Sequence, residues 1–374
     1  MTKRKLLSLF ICIVALPTLV VGKDNKEIKP GELWLDNKGT HINAHGGGVI
    51  YHNGTYYWFG EHKSDTTSSA MVGVTCYSSK DLTNWKNEGV ALKVTDEKGH
   101  DIERGCILER PKVIYNAKTK KFVMWFHLEL KGQGYKAARY GVAISDKATG
   151  PYKFLRSGRV NPGKTSEDLT PATIAVMDTL KEDNYKEWWT PTWRKAVEQG
   201  LFFKRDMEEG QMARDQTVYI DDDGKAYHIY SSEENLTLQI AELTDDYTAH
   251  TGRFVRVAAG GQNEAPAIFK KDGTYWMITS GCTGWAPNKA RMFTSKSIWG
   301  PWTQLPNPCK GPNEDLTFGG QSTYILKVEG KKDFFIFMAD IWRPEHPSDA
   351  RYIWLPIEFN DGKPVIEWKD AWKL

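Results

Sequence analysis

Residues 45–63 read HGGGVIYHNGTYYWFGEHK, and four later stretches repeat their plan. These are ERPKVIYNAKTKKFVMWFHLE from Glu109, DQTVYIDDDGKAYHIYSSEE from Asp215, EAPAIFKKDGTYWMITSG from Glu264 and QSTYILKVEGKKDFFIFMAD from Gln321. Each opens on a polar residue, has Gly, Pro or Thr two places on, and an aliphatic or aromatic residue four places on: Val49, Val113, Tyr219, Ile268 and Ile325. That is one strand in a fixed register. A turn such as His52-Asn53-Gly54, Asp222-Asp223-Gly224 or Lys271-Asp272-Gly273 follows, then a second apolar strand, which makes a hairpin.

Downstream of each hairpin lies a third alternating run, VGVTCYSS, YGVAISD, LQIAEL, ARMFTS or ARYIWLPIEF, and then a turn and a fourth. Four strands repeated five times predict an all-β, five-bladed β-propeller. A sandwich also stacks hairpins, but nothing in it requires a polar residue at the start of every fourth strand. In a propeller the first strands line the central channel, so His45, Glu109, Asp215, Glu264 and Gln321 converge on one funnel. The ring's closure is open: ELWL at 32–35 or the final KPVIEWKDAW completes or covers the last blade.

The opening residues of the five segments are separated by 64, 106, 49 and 57 positions, so the second interval is long by about one blade. Residues 157–208 fill it with helical periodicity, interrupted at Thr190-Pro191, and predict a short helical insertion between blades two and three that caps one rim of the funnel. Trp188, Trp189 and Trp193 within it either anchor the helices on the propeller or form an outer subsite for a longer ligand.

Residues 1–22 have the form of a secretory signal peptide: Lys3, Arg4 and Lys5, an apolar run from Leu6 to Leu16, then small residues near Gly22. The run is too short to span a bilayer. The mature chain, 23–374, is therefore expected as one catalytic domain, secreted or periplasmic, with no membrane insertion after cleavage. Cleavage removes three of the 50 Lys and Arg and none of the 47 Asp and Glu, leaving no basic excess for nucleic acid or an anionic membrane. Cys76, Cys106, Cys282 and Cys309 lack CxxC spacing, which argues against zinc and leaves buried thiols or one bridge such as Cys282 to Cys309.

Three carboxylates facing one cavity are costly through repulsion and desolvation, so a structural role explains them poorly. Glycoside hydrolysis needs such a set: an acid of raised pKa for the leaving oxygen, and an opposing group for water. Gly46-Gly47-Gly48 precedes a strand, which argues against a phosphate cradle. Asp221-Asp222-Asp223-Gly224 reads as a hairpin turn, with a structural calcium loop as the alternative; no other metal or cofactor is expected.

The five-fold hairpin, Arg214-Asp215 running into Asp221-Asp222-Asp223-Gly224, and Glu264-Ala265-Pro266 before IFKKDGTYWMI resemble glycoside hydrolase family 43. The resemblance implies Glu264 as general acid and Asp215 as the residue that tunes and orients it. The family's usual blade-one Asp is missing, replaced by Ala44-His45-Gly46-Gly47-Gly48. With Gly60 to Lys63, Glu109 to Val113, Ser280 to Trp285 and Gly320 to Thr323, this is similar to the exo-β-1,3-galactanase subfamily.

That likeness implies an inverting, exo-acting enzyme that releases galactose from β-1,3-galactan or arabinogalactan. It assigns the attacking water to Gln321 and a sugar contact to Glu109, with further contacts from Glu61, Asn235, Thr283 and Trp285. A neutral amide is a poor proton acceptor, so Gln321 is read as positioning water, with Glu109 as the alternative base. His45 is either a channel contact or a structural His. A monomer acting on oligo- or polysaccharide is expected. The rival readings are another exo-glycosidase of the family, an α-L-arabinofuranosidase or β-xylosidase, and a carbohydrate-binding propeller without catalysis.

Overall fold

The computed structural model describes residues 26–374, so the predicted signal peptide at 1–22 lies outside the described residues. Five sheets form, each from strands consecutive in the chain and antiparallel but for one parallel pair in the last. Blade one holds β1 (His45–His52), β2 (Thr55–Glu61), β3 (Gly73–Ser79) and β4 (Lys86–Lys93), and blade two β5 (Ile107–Asn116), β6 (Lys121–Glu129), β7 (Arg139–Ser145) and β8 (Lys153–Gly158). The insertion carries α1 (Pro171–Thr179), α2 (Pro191–Glu198) and α3 (Leu201–Asp206). Blade three is β9 (Gln216–Ile220), β10 (Ala226–Ser232), β11 (Thr237–Leu243) and β12 (His250–Val257), and blade four β13 (Glu264–Lys271), β14 (Thr274–Ser280), β15 (Arg291–Ser295) and β16 (Thr303–Leu305). A short β17 (Cys309–Lys310) precedes blade five, which comprises β18 (Gln321–Lys327), β19 (Phe335–Ile341), β20 (Arg351–Asn360) and β21 (Lys363–Glu367). This is the five-bladed propeller that the repeat predicts.

A blade is covered on both faces, so its inner strands are buried at nearly every position rather than at every second one. In β6 the alternation sorts neighbours instead of core from solvent. Phe122, Met124 and Phe126 pack against blade one, whereas Val123 and Trp125 pack against blade three. The same sorting yields one apolar cluster at each of the five blade interfaces.

Closure uses the last of the candidate segments. β21 supplies the fourth strand of blade five, and β17 adds to it in parallel. ELWL adds no ladder strand; Trp34 packs its ring on Trp58, Tyr352 and Trp354 across the seam between blades one and five. A bridge between Ile28 and Trp372 ties the two ends of the described chain together.

The helices form where the sequence signals them. Thr170 and Thr190 cap α1 and α2 by accepting from Thr173 and Trp193, each with Pro in the first turn. Met177 and Phe203 pack on Tyr230, Ala241 and Phe254 of blade three, and Trp193 and Phe202 on Leu236, so apolar burial draws the insertion against that blade, beside the turn that carries cavity-lining Asn235. Trp193 is an anchor at 1% exposure, while Trp188 and Trp189 remain 45% and 46% exposed around it.

All four described cysteines are free, which removes the Cys282–Cys309 alternative: Cys309 is sealed in the core between blades four and five, and Cys282 lies beside the Asn235 carbonyl. Asp221 forms the predicted hairpin turn, and its carboxylate faces Lys270 and Tyr275 rather than an open ligand cage.

The seam rests on Trp58, which is 1% exposed and in contact with Trp34, Trp85, Tyr352 and Trp354. Trp58→Ala is expected to lower unfolding free energy by about 3–5 kcal/mol in a urea titration.

Candidate active site

Four of the five channel strands break register just after their first polar residue, between His45 and Gly48, Glu109 and Lys112, Glu264 and Ala267, and Ser322 and Tyr324. A bulge bends a strand and re-aims the side chain beside it. In blades one, two and four the next residue takes a left-handed backbone, with φ of 62° at Gly46, 50° at Arg110 and 53° at Ala265. The Gly or Pro two places on marks this device in the sequence. The bulges turn the strand ends into a cavity of about 320 Å³ lined by Glu109, Asp215, Glu264, Gln321, Asn235 and Trp285, among others.

Arg110 occupies the bulge of blade two, and its guanidinium crosses the channel floor. Nε pairs with Asp215 Oδ2 at 2.8 Å, Nη1 donates to the Ser322 carbonyl at 2.8 Å, and Nη2 donates to Gln321 Oε1 at 2.6 Å. One buried cation thus joins blades two, three and five. The same Gln321 oxygen accepts from the Trp342 indole at 2.9 Å, and Nε2 donates to Ser280 at 2.9 Å. Arg and Trp nitrogens only donate, so these partners fix which end of the amide is oxygen.

Glu264 accepts from Asn235 Nδ2 at 2.7 Å. Burial and the nearby Asp215 charge raise its pKa to about 7, against the opposing pull of Arg110. Asp215 also accepts from the Ala265 amide at 3.1 Å, which ties the acid's own strand to blade three. Asn235 reaches the acid from a turn of three left-handed residues, Glu233, Glu234 and Asn235, with φ of 52°, 59° and 63°. Such a run is held only by strong anchors. Glu233 pairs with Arg256 at 2.7 Å, and Glu234 with Arg214 at 2.9 Å and Arg205 at 3.0 Å.

Glu109 receives the Tyr135 hydroxyl at 2.8 Å and faces His127 at 3.1 Å. Glu61 is buried against Lys63 and the Arg110 amide, and lines the same cavity. Trp285, 43% exposed, stands edge-on to Trp342 with Lys63 5.9 Å from its ring centre. The wall it forms is apolar on one side and open on the other.

Of the two readings of His45 the structural one holds, and Thr283 is displaced. His45 does not line the cavity: its ring is fully buried, stacked on Tyr352 at 5.5 Å, because the bulge at Gly46 turns blade one's first side chain into the core. Thr283 is spent on its own loop, donating to the Ala286 carbonyl at 2.6 Å and accepting from Asn288 at 2.7 Å, and it faces away from the cavity.

Arg110, Lys63, His127, Tyr135 and Trp342 line the cavity without having been singled out from the sequence. Glu109, His127 and Asp215 offer donor atoms within 4.8 Å of one another. They do not fit a cation, since both His127 nitrogens already face carboxylates and Asp215 faces the Arg110 charge.

The profile described as Glycosyl hydrolases family 43 matches residues 186–364. A solved GH43 β-1,3-galactosidase with galactodeoxynojirimycin is 61% identical over 93% of this chain and 100% of its own, with a TM-score of 0.90. The chain belongs to glycosyl hydrolase family 43. As a family 43 glycosidase it is also similar to the exo-β-1,3-galactanase from Phanerochaete chrysosporium, solved as a Glu-to-Gln variant with β-1,3-galactotriose. That match is 31% identical over 93% of this chain and 68% of the other, with a TM-score of 0.74. The exo-β-1,3-galactanase from Clostridium thermocellum is 34% identical over 93% and 66%, again with a TM-score of 0.74. No curated protein matches the sequence.

The two charges beside Glu264 act in opposite senses, which gives a test by sign. A proton donor must hold its proton, so, with Glu264 in the role that the family resemblance implies, kcat is expected to fall as pH rises through about 7. Asp215→Asn removes the charge that raises this pKa and moves the alkaline limb to lower pH, whereas Arg110→Gln moves it higher. Both lower kcat, and pH–rate profiles on an aryl galactoside read the direction.

Proposed function

We propose that this glycosidase removes terminal galactose from β-1,3-galactan and arabinogalactan-type chains with inversion. The observation that carries the reading is Glu264, a carboxyl whose pKa burial and Asp215 raise to about 7, inside a cavity that Gln321 also lines. The galactose specificity is supported by the 61% identity to a β-1,3-galactosidase along that enzyme's whole length.

In this reading Glu264 protonates the departing glycosidic oxygen, with Asn235 holding its other state in place and Asp215 keeping the proton available near neutral pH. Gln321 holds the attacking water on the opposite face, its amide fixed by Arg110 and Trp342. Glu61 and Glu109 accept hydrogen bonds from sugar hydroxyls, and Trp285 receives the apolar C–H face of galactose. The leader at 1–22 supports action outside the cytoplasm, secreted or periplasmic. Among the described residues no helix is long and apolar enough to cross a membrane.

Proton NMR of β-1,3-galactan digestion is expected to show galactose appearing first as the α-anomer, the inverted product of a β-linkage. Release of arabinose or xylose from aryl glycosides in preference to galactose would instead assign the other exo-specificities. Glu264→Gln is expected to lower kcat by about 10³-fold with the fold retained by circular dichroism. Gln321→Ala is expected to cost about 10²-fold in kcat; near-normal turnover there, with loss in Glu109→Gln, would transfer the water to Glu109.

A further inference from the structure

β6 places His127 and Glu129 two residues apart, hence on one face, and seals both inside the protein. His127 lies directly across the ladder from Glu109. Its Nδ1 is 3.1 Å from Glu109 Oε2, and its Nε2 is 2.8 Å from Glu129 Oε1. A carboxylate at each ring nitrogen requires a donor at each, which is the imidazolium form.

The second oxygen of Glu129 accepts the Ala138 amide at 2.8 Å. Ala138, left-handed at φ 45°, ends the loop that carries Tyr135, and the Tyr135 hydroxyl donates to the other oxygen of Glu109 at 2.8 Å. One buried carboxylate therefore directs both donors that grip Glu109, the first through an imidazole and the second through a loop.

We propose that Glu129 and His127 are positioning residues that hold Glu109 as a fixed anionic acceptor for galactose hydroxyls and exclude it from proton transfer. The proposal rests on the galactan reading. Each gripped oxygen keeps a lone pair for a sugar hydroxyl. Burial disfavours both charges, yet the hydrogen bond from His127 and its charge bring Glu109 down to about 2. Burial likewise opposes the imidazolium, but Glu109 and Glu129 lift His127 to about 9. The other ionisable groups facing Glu109 are Lys63, Tyr135 and Glu61, with Asp215 nearby. So weak a base is unsuited to accept water's proton and well suited to accept hydrogen bonds.

The test measures β-1,3-galactobiose binding by calorimetry in the Glu264→Gln enzyme, where turnover is blocked, between about pH 5 and 10, together with ¹⁵N NMR of the histidine rings. The imidazolium is present below about 9 and lost above it, so affinity is expected to hold until about pH 9 and then fall. Adding Glu129→Gln removes one of the two anionic partners and is expected to move that fall at least about one pH unit lower, with recovery in acid. Adding His127→Gln is expected to weaken binding about tenfold at every pH, without a break; this variant keeps a cross-strand donor and serves if Glu129→Gln does not fold. A merely structural role would lower stability without moving the pH at which affinity breaks.

In NMR, both nitrogens of His127 are expected to be protonated at about pH 8, identified by the signals lost in His127→Gln. A neutral ring there, or parental affinity and pH dependence in both variants, would overturn the proposal. Absence of galactobiose binding in the Glu264→Gln parent would remove the galactan reading and the hydroxyl contact with it, while NMR would still report whether the clamp on Glu109 exists.

Discussion

The site depends on one buried cation. The Arg110 guanidinium has left water, and an uncompensated charge in that place would cost several kcal/mol, so its partners must be present and aligned. They are supplied by two other blades, Asp215 from blade three and Gln321 with the Ser322 carbonyl from blade five, around a residue of blade two. The arrangement makes the geometry of the cavity a property of the whole ring. It also balances the acid, because Arg110 draws the Glu264 pKa down while burial and the Asp215 charge push it up.

Blade one shows what the ring does when a channel residue is given up. Its first strand contributes backbone rather than a carboxylate, and the room this leaves is taken by Glu61 from the second strand. A Cβ on Gly46 would meet Glu61 Oε1 at 2.6 Å, at a φ of 62° that other residues adopt with strain. A Cβ on Gly47 would overlap the Phe59 carbonyl at 1.8 Å. Glycine at 46 and 47 is therefore a steric requirement of the close approach between β1 and β2.

The ring, its register and the helical insertion were legible because they depend on local periodicity repeated five times. The convergence of Glu109, Asp215, Glu264 and Gln321 followed from that register. Arg110 was hidden one place beyond Glu109, where alternation would point it away from the channel; only the left-handed bulge returns it. His127 and Tyr135 belong to a second strand and a long loop, whose relation to the first strands is set by pairing in three dimensions. The same limits left His45 open and misplaced Thr283. The first shares the register of the channel residues but is turned inward, and the second follows the loop's own hydrogen bonds. The insertion's helices were readable from caps and Pro, whereas the surface they cover was not, since Tyr230, Ala241 and Phe254 appear in sequence as ordinary blade residues.

The seam between blades one and five carries a kinetic consequence. Four of the blade interfaces join segments that follow one another in the chain, so they can assemble from neighbouring hairpins. The fifth brings Ile28 to Trp372 and Trp34 to Trp354, across nearly the whole described length. Loop-closure entropy is concentrated in that one contact, and no strand exchange helps to offset it. Loop-closure entropy must be met before such distant contacts form, which places closure of the seam after the pairing of neighbouring hairpins in folding.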